Sequence, residues 1–371
     1  MKAYDAAIVG GGIVGAACAA SLSSAGLSVA LIEASDTASG STAAGMGHIV
    51  VMDDSEAQFA LTRYSQELWR VLALDLPNTA EFENCGTIWV AADENEMNQV
   101  RRKYSYYSER GISSEVLDGK SLRKAEPNLS EKLTGGLLVQ GDSVVYQLVA
   151  TNYLLKKAKG DGAEIFAQKK AVEISENGVK LHDGQFMPAG TVVNAAGTAA
   201  PSLSSGLRIQ NRKGHLVITD RYPNFARHQL IELGYLRSAH GNSQDSVAFN
   251  IQPRKTGQVL LGSSRQFGAD NGGVDKEILR RMTSRAFEYM PGLRKLSTVR
   301  IWTGFRPATP DNLPYIGRLP DHKNIYVAAG HEGLGITTSL GTGELIADAI
   351  LGRTSAIPPE PYSPSRPIEE N

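Results

Sequence analysis

A glycine pattern near the start of the chain constrains it more than any later feature. Gly10-x-Gly12-x-x-Gly15 directly follows a short apolar run, Tyr4 to Val9, and opens a small and apolar stretch, Ile13 to Ser24. The run predicts a buried strand and the stretch a helix. Gly26 predicts the helix end. Leu27 to Glu33 predicts a second strand that closes on an acid. The two strands are then parallel and joined by a right-handed crossover. Each glycine has a task. Gly10 permits the tight turn, Gly12 lets backbone approach a pyrophosphate, and Gly15 lets the helix pack closely on the strand. The helix N-terminus turns unpaired N–H groups and a positive dipole end toward phosphates. Glu33 can accept from ribose hydroxyls and disfavours a 2′-phosphate. A lone glycine triplet is weak evidence. With strand, helix, second strand and acid all in place, a dinucleotide is expected, and FAD and NAD both remain open.

Composition narrows the remaining classes. The 371 residues suffice for two joined domains. A formal net charge of −1 gives a polyanion nothing to hold, which argues against nucleic acid. Two cysteines, Cys18 and Cys85, are too few for a Cys-ligated iron–sulfur cluster or a Cys-rich zinc site. No metal is expected, and two reduced thiols are. The apolar residues 6–32 are interrupted by Gly10-Gly11-Gly12 and preceded only by Lys2, unlike a signal peptide. No other stretch approaches a membrane span. A cytoplasmic protein is expected, with peripheral attachment to the inner membrane as the alternative.

Further along, helical spacing marks residues 56–73, 93–110, 144–159 and 275–290. Residues 214–220 and 246–263 alternate in the manner of antiparallel strands. Thr191 to Ala196 and Asn324 to Ala329 read as buried strands, the latter followed by a glycine turn and a helix from about Ile336 to Ile350. One domain interrupted by another is therefore expected: 1–82, 140–214 and 300–371 against 83–139 and 215–299. The Pro- and Ser-rich tail, 358–371, is expected to lie extended on the surface or disordered.

Three later segments favour FAD. Ser39 to His48 is made largely of small residues that let backbone run against a flat ring system. Thr191 to Gly197 is a strand ending in small residues, and Tyr326 to Ser339 repeats the strand–glycine turn–helix plan. With Trp302-Thr-Gly-Phe-Arg-Pro-Ala-Thr-Pro-Asp-Asn-Leu-Pro-Tyr-Ile-Gly317, they resemble the D-amino-acid oxidase family of flavoproteins, which includes glycine and sarcosine oxidases. The resemblance covers nearly the whole chain. In overall look and over Gly45 to Trp69 it is most similar to the FAD subunits of D-hydroxyproline dehydrogenase and related opine or hydrogen cyanide-forming enzymes. It implies an α/β fold, a Rossmann-like FAD-binding domain interrupted by an antiparallel-sheet α+β substrate domain. It also implies a cofactor pose. The phosphates fall to Gly10, Gly12, Ile13, Val14 and Gly15, and Glu33 takes the ribose. Backbone from Ala44 through Gly45 to Met46 passes the isoalloxazine ring, and Val172 pairs with the adenine. The turn His331, Gly333, Leu334, Gly335, Ile336 and Thr337 faces the pyrimidine end. Ala34, Ser41, Thr42 and Gly197 complete the predicted contacts. The helix near Gly335 aims its positive end where reduced flavin carries negative charge. No cysteine lies in Gly330–Gly335 or Trp302–Gly317, so non-covalent FAD is expected.

For substrate, the resemblance assigns Arg306 of Gly-Phe-Arg-Pro to the carboxylate, and the planar fork of donors suits that group. The alternative pairs Arg306 with Asp311 to shape the loop. The chain departs from the glycine oxidase pattern at three places. Asn250 stands where that family member has a carboxylate-binding tyrosine, Gly333 where it has a second arginine, and Arg265 where it has an apolar pocket residue. A substrate more polar than glycine is expected, carrying a hydroxylated ring or a second carboxylate, although Arg265 reads equally as a solvated surface charge. His48 and His331 adjoin predicted flavin contacts, in a tuning role or a polar niche. Glu332 is either a turn residue or a partner for a substrate amine or hydroxyl. The expected reaction is FAD-dependent oxidation of an amino or imino acid, with hydride passing from Cα to flavin N5. D-hydroxyproline or D-proline is the first expectation. A peroxide-producing oxidase of the glycine or sarcosine type, or the flavin subunit of an opine or hydrogen cyanide-forming complex, is the alternative. The acceptor is oxygen, a quinone or a partner subunit, and a homo- or hetero-oligomer is expected.

Overall fold

The computed structural model describes residues 2–234, 245–269 and 271–368. It divides into two compact units, residues 1–80, 146–211 and 305–371 in the first and 81–145 and 212–304 in the second.

The first unit is built on a parallel core. Strand Tyr4–Val9 lies between Phe186–Asn194 and Val29–Ile32, with Ile8 beside Val193 and Leu31. Outward from these run Glu164–Phe166 on one side and Ile325–Ala329 on the other, with Tyr315–Arg318 antiparallel at the edge. The central strands are buried on both faces, which explains their near-continuous apolar sequence. Helix Ile13–Ser24 is rich in alanine because its neighbours come very close. A Cβ at Gly343 of helix Gly335–Leu351 would lie 2.9 Å from the Ala17 carbonyl oxygen. Ser21 Oγ seals that crossing by donating to Glu344 Oε1 at 2.9 Å. Helix Glu56–Leu72 starts at Ser55, whose hydroxyl accepts from the Gln58 N–H at 3.1 Å.

The tail settles one alternative. Residues 358–368 run along the surface as expected but are tied down rather than disordered. Tyr362 is fully buried, and its hydroxyl donates to the Ala57 carbonyl at 2.6 Å. Arg366 forks onto Asp311 at 2.7 and 2.9 Å and donates to the Leu313 and Pro314 carbonyls. Pro- and Ser-rich composition hid an aromatic anchor and a bidentate ion pair. Residues 369–371 lie outside the described part. Cys18 and Cys85 are both free thiols, and burial pushes each up to about 12.

The second unit is an eight-stranded sheet in the order Thr298–Ala308, Gln210–Thr219, Val259–Phe267, Ser246–Pro253, Gln229–Glu232, Thr87–Ala91, Gly135–Val139 and Ser114–Asp118. Most of its neighbours are antiparallel, while Gln229–Glu232 and Thr87–Ala91 run parallel. Helix Lys276–Tyr289 covers one face. Asp275 caps it by accepting from the Glu277 and Ile278 N–H groups at 2.9 and 3.1 Å. Phe249 stacks on Tyr289 at 4.8 Å between centroids, inside an apolar core with Ile88, Leu230, Ile251, Leu261 and Met282. Among the described residues no helix is long and apolar enough to cross a membrane.

Candidate active site

The first turn is sterically committed to glycine. Gly10 has φ +116°, and a Cβ there would lie 2.3 Å from the Ala195 carbonyl oxygen. At Gly15 the added atom would lie 1.9 Å from the Gly10 carbonyl oxygen. Strand and helix therefore meet with no room for a side chain. Gly12 caps helix Ile13–Ser24 without a side-chain hydrogen bond, and no acid occupies its first turn. The Ile13 N–H donates to Thr42 Oγ1 at 3.0 Å, which brings helix Ser41–Ala44 to the turn. Val14 is half-buried one residue on. Glu33 accepts from the Gly11 N–H at 2.7 Å and the Ser35 N–H at 2.8 Å, beside exposed Ala34. Its carbonyl receives the Lys169 N–H at 2.8 Å, three residues before Val172, which is exposed. Asn194 shapes the corner at Gly197 by donating to the Ala200 carbonyl at 2.9 Å. Gly197 itself has φ +57°.

The second turn is built differently. Gly330 has φ +87°, and the following His331 is buried, with Nε2 3.0 Å from Thr342 Oγ1. Burial lowers the His331 imidazole to about 3, so it is neutral. Glu332 donates its N–H to the Pro307 carbonyl at 2.9 Å, and its carboxylate accepts the Gly333 N–H. Helix Gly335–Leu351 then begins at Leu334 without a side-chain cap. Its first turn is held from outside. Trp69 Nε1 donates to the Ile336 and Thr337 carbonyls at 3.2 and 3.0 Å, and Thr337 Oγ1 donates to the His48 carbonyl at 2.8 Å. A Cβ at Gly45 would come within 2.7 Å of Ile336 Cδ1. The Ala44–Met46 backbone and this helix start therefore lie together. His48 follows, its imidazole lowered to about 3 by burial and its Nε2 without a partner.

One family matches this arrangement. Its description, FAD dependent oxidoreductase (DAO), fits residues 5–349. The chain belongs to this family. It is 30% identical over 373 residues to glycine oxidase of Bacillus subtilis (strain 168), spanning 94% of each chain. It superposes on the crystal structure of glycine oxidase from Geobacillus kaustophilus with a TM-score of 0.90, at 27% identity over 100% of both chains. It is 26% identical over 397 residues to the hydrogen cyanide synthase subunit HcnC of Pseudomonas protegens, covering 93% of this chain and 92% of that one.

The cradle fits the family's FAD. Two glycine turns, two uncapped helix N-termini and an acid at the end of the second strand supply what a flavin dinucleotide needs. Gln147 adds to it. The side chain is buried, Nε2 donates to the Gly45 carbonyl at 2.8 Å, and Oε1 is an unpartnered acceptor. Sequence reasoning missed both Gln147 and Trp69. Trp69 sits in a helix whose spacing speaks only of packing, and Gln147 carries no signal beyond its polarity.

Arg306 is half-buried, and its Cδ and Nε lie 3.7 Å from where a Gly333 Cβ would stand. Asp311 receives a bidentate arginine from Arg366. In the second unit, Asn250 is buried opposite Gly262, with Oδ1 unpartnered. Arg265 is buried too, at 6% exposure, which rules out the solvated surface charge. Strand Val259–Phe267 lies inside the sheet rather than at an edge, and Ser263, Ser264 and Gln266 beside Arg265 are buried with it.

Proposed function

We propose that this FAD-dependent oxidoreductase oxidises an amino or imino acid at its Cα–N bond, with a D-proline or hydroxylated D-proline type substrate most favoured. The observation that carries the reading is Arg306 lying alongside Gly333, in the turn that opens helix Gly335–Leu351. A guanidinium there binds a carboxylate bidentately and stays charged, which fixes the substrate's Cα by orientation alone. The glycine oxidase and HcnC similarities support an amino-acid substrate. Asn250 and the buried Arg265 support one more polar than glycine. Bound FAD supplies the two-electron acceptor for hydride from Cα, and the protein contributes position and charge. No general base is assigned. Burial lowers the imidazoles of both His48 and His331 to about 3, which keeps them uncharged beside the predicted flavin contacts. An electron-accepting partner subunit or a quinone, a homo- or hetero-oligomer, and peripheral association at a membrane belong to the same proposal.

The test is anaerobic. The yellow protein is mixed with D-proline, cis-4-hydroxy-D-proline, D-alanine, sarcosine, glycine and opines, and the visible bands are followed. Bleaching by one of them is expected, and readmitted air then separates oxidase from dehydrogenase. Arg306→Lys should lower kcat/KM by roughly 10- to 100-fold, mostly through KM. Unchanged kcat/KM would remove Arg306 from the carboxylate.

A further inference from the structure

An asparagine followed by glycine can turn its side-chain amide onto the next backbone nitrogen, because glycine adds no Cβ to hinder the approach. The chain has two such steps, Asn177-Gly178 and Asn271-Gly272. They are placed very differently. Asn177 is exposed, but Gly178 is buried in the hairpin of Ala171–Ser175 with Gly178–Leu181, opposite both Ser175 and Pro188. A Cβ at Gly178 would lie 2.1 Å from the Met187 carbonyl oxygen, so backbone closes tightly around it. Asn271, Gly272 and Gly273 are all exposed, and a Cβ at Gly272 would meet nothing within 4 Å.

The Asn271 amide is also polarised. Its Oδ1 accepts from the Gly273 N–H at 3.1 Å and from Lys213 Nζ at 3.4 Å. Lys213 is 3% exposed, on strand Gln210–Thr219 and opposite Gln266. The same loop is tethered by Thr303, whose Oγ1 donates to the Gly272 carbonyl at 2.5 Å. Two donors, one of them a cation, therefore converge on the oxygen that gathers negative charge when Cγ is attacked.

We infer that Asn271 is a self-modifying site, whose amide condenses with the Gly272 nitrogen under the hydrogen bonds of Lys213 and Gly273. A bond forms between the Gly272 nitrogen and Asn271 Cγ. The Cγ–Nδ2 bond breaks, and Nδ2 leaves as ammonia with the proton that Gly272 gives up. One water then opens the five-membered imide to aspartate or to its β-linked isomer. The aspartate product sets a carboxylate against Lys213, so a buried ammonium exchanges a neutral partner for a charged one.

The FAD-loaded protein is aged in mildly alkaline buffer and digested, and the peptides holding Asn271 and Asn177 are followed by mass and by isoaspartyl content. A sample unfolded in urea gives the rate of each step without structure. Asn177 should be slower in the folded protein than in urea by about tenfold or more, because its hairpin must first open. Asn271 should keep at least its unfolded rate. Lys213→Met should slow the folded-state loss at Asn271 by about threefold and leave Asn177 and both urea rates unchanged, and Lys213→Arg should restore it. Should Lys213→Met fail to fold, Asn271→Asp carries the test, with a melting temperature raised by about 1–2 °C through the ion pair. Protection of Asn271 equal to that of Asn177, a Lys213→Met protein that ages at the wild-type rate, or an Asn271→Asp protein that melts no higher than wild type overturns the site.

Discussion

Two turns in the first unit share a plan and differ in what holds them. Gly10 to Ile13 and Gly330 to Gly335 each join a buried strand to a helix without a capping side chain. In the first, backbone meets backbone, so that added atoms at Gly10 and Gly15 would fall 2.3 and 1.9 Å from carbonyl oxygens, and the Glu33 carboxylate and Thr42 hydroxyl only supplement this by accepting from the Gly11 and Ile13 N–H groups. In the second, side chains do the holding: Thr342 on His331, Trp69 on two carbonyls, and Thr337 on the strand of His48. Its last two glycines are loosely surrounded, with nearest atoms 3.7 Å from a Cβ at Gly333 and 3.4 Å at Gly335. The lesson concerns what each turn tolerates. A turn made by steric exclusion must keep its glycines, whereas a turn made by side chains can vary its own residues and must keep its distant supports.

Gly15→Ala breaks the first turn directly. The new methyl can be placed only by moving the Gly10 carbonyl or the helix, and such overpacking costs about 1–3 kcal/mol or more. Because the displaced atoms are those that cradle phosphate, the flavin content of the purified protein should fall by about tenfold, read from visible against protein absorbance. A stoichiometrically yellow variant would show that the first turn is held by something other than exclusion.

A smaller effect is expected at the second turn's distant support. Trp69→Phe keeps most of a fully buried ring and deletes the Nε1–H that reaches Ile336 and Thr337. The carbonyls keep their places in the helix ladder, so the loss should be about 1 kcal/mol in denaturant unfolding, with a fewfold weaker hold on FAD. No change in either quantity would mean that helix Gly335–Leu351 positions itself.

This difference also explains what the sequence could reveal. The first turn is legible because exclusion is written in the glycines themselves, and the acid at Glu33 supports the spacing. Arg306 and the helix near Gly335 are legible through a continuous motif. Trp69, Gln147 and Arg366 are not, because each acts on residues far along the chain: 267, 102 and 55 positions away in their principal hydrogen bonds. Arg265 eludes the sequence for a related reason. Its burial depends on strand order, and a basic residue next to glutamine carries no local sign of lying in the interior of a sheet.

The smallest effect should come at Gly333. Its φ lies outside the left-handed region, it is exposed, and a Cβ would rest at ordinary contact distance from Arg306. Gly333→Ala should therefore change stability by less than about 0.5 kcal/mol, or raise it slightly by restricting the unfolded chain. Flavin content should be unaltered. Because the methyl touches the stem of Arg306 rather than its guanidinium, any shift in KM should be well below that of Arg306→Lys. If Gly333→Ala instead stripped the protein of its flavin, the second turn would be as intolerant as the first, and the contrast between exclusion and distant support would have to be given up.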